Sequence, residues 1–146
     1  MDWAQRPVSV DKHMQESTFG DCPPRRACAG ELILLVESEP LIAIDLEACL
    51  KSAGADVFHA PTLSEALAFT RKRSAAAAVI EYYLPGQDAE ALCSQLERCS
   101  TPFVFLSKDG ADQISRWARA PVIHKPVHPD VVVDAVVRLL RNARDG

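Results

Sequence analysis

No apolar stretch in the 146 residues reaches the ~18 that a membrane-spanning helix needs. The N-terminus lacks the basic-then-apolar layout of a secretory leader, so none is expected. Lysine and arginine are scattered over a chain of net charge −4 and form no basic stripe, so binding to nucleic acid is not expected. The five cysteines (Cys22, Cys28, Cys49, Cys93, Cys99) are an odd number at spacings that match no zinc or CxxC pattern. Cys49 and Cys93 fall inside amphipathic helical patterns, where cysteine acts as a small buried hydrophobe. A reduced, cytoplasmic setting is the economical reading. What is present is an ordinary globular balance, 48% hydrophobic and 25% charged residues, in a length that suits one domain with a real core.

Residues 1–30 have no sustained apolar period and hold Pro7, Gly20, Pro23, Pro24 and Gly30 among mixed charges, which predicts a flexible tail before a domain at 31–146. From Glu31 onward the punctuation is regular. Leu32-Ile33-Leu34-Leu35-Val36 is apolar without alternation, the pattern of a strand covered on both faces. A helix follows from Pro40, tolerated in a first turn, to Gly54. Strands are expected at 55–60, 76–80, 102–106 and 122–123. Helices are expected after Thr62 or Ser64, after a capping Asp88, over 109–118, and from His128 to about Asn142. Five strands alternating with five helices demand parallel strands and right-handed crossovers, hence a doubly wound α/β sheet. The flavodoxin-like order 2-1-3-4-5 is the common solution for five strands.

In such sheets functional groups gather beyond the C-terminal strand ends. Glu37, Ser38, Glu81, Ser107 and Lys125 all fall there. The segments Val36-Glu37-Ser38-Glu39-Pro40, Ile80-Glu81-Tyr82-Tyr83-Leu84-Pro85-Gly86, Phe105-Leu106-Ser107-Lys108 and Ile123-His124-Lys125-Pro126 together resemble the response-regulator receiver domain over roughly residues 32–140. That module accepts a phosphoryl group from a histidine kinase. The resemblance implies that Glu37 stands for the first member of a Mg²⁺-binding acid pair, Ser107 for the hydroxyl that senses phosphoryl, and Lys125-Pro126 for the lysine before a cis-proline. Two positions depart from the family. Ser38 replaces the second acid, and Glu81 replaces the phosphoacceptor aspartate. Tyr83 stands where the family often has a small residue whose carbonyl helps hold the metal.

Glutamate carries its carboxylate about 1.5 Å beyond an aspartate's, and a displacement of ~1 Å in a positioned reaction costs ~100-fold. Mg²⁺ demands near-octahedral oxygen ligands. With Glu37, Glu81 and Tyr83 as weak ligand candidates, Mg²⁺ is disfavoured and no catalytic residue is expected. The expectation is a pseudo-receiver: not an enzyme, without an attached output domain, in two-component or phosphorelay signalling through contact with a histidine kinase or downstream effector. The resemblance implies that this contact is made through the face of the 109–118 helix, the fifth strand and the last helix, with Asp109, Arg116, Trp117 and Arg119 as the exposed candidates there, and a homodimer through the same face is a further expectation. Two alternatives stay open: a phosphoacceptor that still uses Mg²⁺, and a small flavodoxin-like ligand binder. The second lacks a glycine-rich phosphate loop, since Glu37-Ser38-Glu39-Pro40 follows the first strand.

Overall fold

The computed structural model describes residues 27–84, 87–107, 120–126 and 128–145, with only the backbone described at 83, 84, 87 and 88. Elements in chain order are β1 (Leu32–Val36), α1 (Pro40–Ser52), β2 (Asp56–Ala60), α2 (Leu63–Lys72), β3 (Ala77–Glu81), β4 (Tyr83–Leu84), β5 (Gln87–Asp88), α3 (Glu90–Arg98), β6 (Phe103–Ser107), β7 (Val122–His124) and α4 (Pro129–Asp145). The main sheet runs β2-β1-β3-β6-β7 with every pairing parallel, the expected 2-1-3-4-5 order once the short hairpin β4–β5 is set aside. Four helices are present among the described residues; the expected helix at 109–118 lies outside them, as do most of the expected tail and the side chains of Asp109, Arg116, Trp117 and Arg119.

Alternate residues of the central strands feed two cores. Leu34, Val36, Ala78, Ile80, Phe103 and Phe105 point to the side covered by α2 and α3. Ile33, Leu35, Ala77, Val79, Val104 and Leu106 point to the side covered by α1 and α4. Covering both faces explains why these strands read as unbroken apolar runs. On α4 the buried stripe is Val132, Val133, Val136, Leu139 and Leu140, so Leu139 joins a face on which Val137 is only half-buried. The Thr62 hydroxyl accepts from the Glu65 amide, so Thr62 and not Ser64 caps α2.

Asp88 does not cap α3. It pairs with Tyr83 in the β4–β5 ladder, and the cap position falls on Ala89, whose amide donates to the Tyr82 carbonyl at 3.1 Å. A short antiparallel β4–β5 pairing thus lies between β3 and the helix. Gly54 closes α1 at φ +97° and runs so close to Ala29 that an added Cβ would lie 2.9 Å from its Cα. Both the left-handed backbone and the space require glycine there.

Candidate functional site

The C-terminal ends of β1, β3 and β7 bring four charged groups together. Glu37 directly follows β1, Glu81 is the last residue of β3, and Lys125 directly follows β7, its amide donating to the Ser107 carbonyl at 2.9 Å. The Lys125–Pro126 peptide bond is cis, as the family resemblance implied. From this position the Lys125 ammonium reaches three carboxylates: Glu37 Oε2 at 3.1 Å, Glu39 Oε1 at 3.0 Å and Glu81 Oε2 at 3.1 Å. The lysine side chain is 5% exposed, and Glu37 is fully buried.

The Glu81 carboxylate is engaged at both oxygens. Oε2 takes the lysine, and Oε1 accepts from the Ser38 amide at 2.9 Å and the Ser38 hydroxyl at 2.6 Å. The two departures from the family pattern therefore touch each other. A second aspartate at position 38 would set one carboxylate against another; a serine there donates to it. The longer Glu81 side chain spans from the end of β3 to both the β1 loop and the β7 loop.

Glu39 was not among the expected site residues. It occupies the cap position of α1 in extended conformation, but its side chain makes no capping bond and turns to Lys125 instead. Its amide donates to Glu37 Oε2 at 3.0 Å. An acid two residues after Glu37 and just before Pro40 was the available signal, obscured because such an acid also suits a helix entrance. Ser107 is buried at the end of β6, opposite His124 in register. His124 is exposed and His128 accepts from the Asp130 amide at the start of α4, so neither joins the cluster. The side chain of Tyr83 is outside the described residues.

Burial pushes the Glu37 carboxyl above its ordinary value, and the neighbouring Glu81 charge adds to this against the opposing Glu39 amide and Lys125. Glu37 Oε1 lies 3.0 Å from the Lys125 nitrogen but without hydrogen-bond geometry, and is the buried side-chain oxygen left unbonded among the described residues. Burial pushes Glu81 the same way, yet the Ser38 and Lys125 bonds outweigh it and hold that carboxyl below its ordinary value. Burial would lower Lys125, but its bonds to Glu39, Glu37 and Glu81 raise it instead, so it is firmly protonated.

The family resemblance implies a divalent cation here. Oxygens of Glu37, Glu39 and Glu81 lie within 4.8 Å of one another, the donor type a hard cation takes. The Lys125 ammonium, however, stands 3.0–3.1 Å from all three. As arranged, these residues do not fit a second cation in addition to the lysine.

No family model matches the chain, and no curated protein sequence matches it. Solved structures do. The non-phosphorylated HemR receiver domain from Leptospira biflexa is 27% identical, covers 75% of this chain and 94% of its own, and superposes with a TM-score of 0.68. A CheY-like response regulator receiver domain protein from Methanospirillum hungatei JF-1 is 23% identical over 80% of this chain and 98% of that one, at a TM-score of 0.69. The response regulator PhyR from Brucella abortus is 22% identical over 94% of this chain and 57% of its own, at 0.73.

The chain has the receiver-domain fold of response regulators. No helix among the described residues is long and apolar enough to cross a membrane.

Proposed function

We propose that this chain is a cytoplasmic receiver-type signalling module whose acceptor position is permanently closed, and which signals through protein contacts without phosphorylation of Glu81 and without Mg²⁺. The observation that carries this reading is the double engagement of Glu81, with Ser38 on one oxygen and Lys125 on the other. An acceptor carboxylate must present a free oxygen in line with a phosphoryl donor and a cation to offset the incoming charge. Here both oxygens are committed, and three carboxylates against one ammonium leave a net negative site that repels a phosphoryl dianion.

The lysine takes the role of the metal and Glu81 that of the charged ligand, so one arrangement of the β1, β3 and β7 ends is held constantly. Output then rests on recognition of a surface by a histidine kinase or an effector. Leu41 and Ile44, 78% and 62% exposed on the first turns of α1 beside the site, are apolar side chains of the sort a protein partner covers.

The test is incubation with acetyl phosphate and Mg²⁺, read by intact mass. Unmodified protein is the expected result; a stoichiometric, base-labile phosphoryl group on Glu81 would overturn the reading. A pull-down with wild type and Glu81→Gln addresses the signalling half. Loss of partners by Glu81→Gln supports a held state, and identical partners with both proteins count against it.

A further inference from the structure

β2 is an outer strand of the main sheet: β1 pairs with one edge, and among the described residues nothing pairs with the other. The Asp56 amide donates inward to the Glu31 carbonyl, and the Ala60 carbonyl accepts from the Glu37 amide. Inward and outward groups alternate along a parallel strand, so the backbone N–H and C=O of Val57 and His59 face out. A long open edge is a template for another strand.

Beside this edge lies a groove of about 430 Å³ between β2 and α2. Phe58 is 38% exposed at its base, its ring 4.6 Å from that of Phe69. The Arg73 guanidinium stands 5.9 Å over the Phe69 ring, and Lys72 lines the groove next to it. Neither cation forms an ion pair among the described residues, although the chain as a whole is acidic. The opposing charges are Glu65, on the first turn of α2 at the far end of the groove, and Asp56, exposed at the start of β2. The His59 ring alternates to the opposite face of β2 from Phe58 and is bonded at Nε2 to the Glu37 carbonyl at 2.8 Å.

We propose that this edge takes an extended acidic segment of a partner protein, which adds to β2 as a further strand with a bulky apolar side chain over Phe58 and a carboxylate against Lys72 and Arg73. Strand addition supplies affinity through the outward groups of Val57 and His59, while the groove selects alternate side chains. Apolar area around Phe58 and Phe69 sets the need for a large side chain, and two cations with no ion pair among the described residues at one end set the need for negative charge there.

The probe is a fluorescein-labelled hexapeptide, Glu-Thr-Phe-Thr-Val-Thr, which places an acid, an aromatic and an apolar residue on one face of a strand. Its counterpart begins with lysine. The acidic peptide is expected to bind at least about tenfold more tightly than the basic one. Lys72→Glu with Arg73→Glu should reverse that preference. In ¹⁵N-resolved NMR, wild-type amides of Val57, His59 and the Ala68–Arg73 stretch should shift on titration, a readout that needs no variant. Equal affinity for the two peptides, absence of binding by either, an unchanged preference in the double variant, shifts centred on the Glu81–Lys125 cluster, or self-association through β2 that excludes the peptide would each overturn the proposal.

Discussion

Two lysines in this molecule sit in opposite circumstances. Lys125 is buried among three carboxylates at hydrogen-bond distance, whereas Lys72 lines an open groove with Arg73 and has no acidic partner among the described residues. The first cluster satisfies its charges internally, over-supplied with acid. The second has charge, and backbone groups with no strand partner among the described residues, to offer outward. At the strand ends both Glu81 oxygens are engaged by Ser38 and Lys125, whereas the β2 edge leaves outward backbone groups without a strand partner among the described residues. On the readings proposed above, the first region holds a state and the second meets another molecule.

The sharpest way to break this contrast is to remove the buried lysine. Lys125→Met leaves Glu37, Glu39 and Glu81 facing one another within 4.8 Å with no counter-charge. Breaking a buried ion pair at one partner costs about 3–5 kcal/mol, so urea denaturation should show that loss, and a loss below ~1 kcal/mol would mean the cluster is not closed by its lysine. Next in size is Ser38→Asp, which returns the family's acid to the position where a hydroxyl now donates to Glu81 at 2.6 Å. Loss of a hydrogen bond to a charged group costs about 1.5–3 kcal/mol, and carboxylate repulsion adds to it. Glu81→Asp in the same chain should recover part of that loss by drawing the second carboxylate back. A Mg²⁺-dependent rise in Tm should appear in that double variant and not in wild type.

These outcomes bear on how much was legible in the sequence. The apolar runs of β1 and β6 and the Gly54 stop follow from local pattern, because burial on both faces of a sheet leaves little freedom in residue type. Asp88 was misread because a capping residue and a residue in a short hairpin share the same extended backbone, and only pairing with Tyr83 tells them apart. At the site, Glu37, Ser38, Glu81 and Lys125 were placed by their strand ends. What the sequence hid was that Ser38 and Glu81 are complementary: as letters they are two losses, and in space they are donor and acceptor. Glu39 was hidden for a related reason, since its contact with Lys125 spans 86 positions. The expected order already made β2 an edge, but the groove beside it depends on how Phe58 packs against Phe69 across β2 and α2, which no local pattern shows.

A titration sharpens the contrast further. Glu37 lies above its ordinary value of 4.5, so in the window just above that value the folded chain holds the extra proton and stability falls as pH rises through it. Glu81 lies below 4.5, so its contribution is present above that value and is lost as pH falls through its lowered one. Lys125 lies above 10.5, so its contribution is full at neutral pH and disappears as pH rises past that value. Thermal melts across pH should show the acid-side loss abolished in Glu81→Gln and the opposing slope removed in Glu37→Gln. Identical pH profiles in all three proteins would place the pH dependence outside the cluster.

The smallest stability effect is expected at the groove, and its smallness is the point. Lys72→Glu with Arg73→Glu alters exposed side chains at and just beyond the end of α2 that hold no ion pair among the described residues. Surface changes of this kind usually stay within about 0.5 kcal/mol. Reversing charge at the negative end of a helix dipole adds a few tenths in the destabilising direction. Because this pair shares no partner with the Lys125 cluster, its effect should add to that of Lys125→Met without coupling. A urea-denaturation cycle over the two sites checks this. Additivity, together with loss of acidic-peptide binding in the groove variant, keeps holding and meeting as separate properties of two regions. A coupling above ~1 kcal/mol would instead tie the β2 edge to the buried lysine, and the bond from His59 to the Glu37 carbonyl is the contact through which that tie would run.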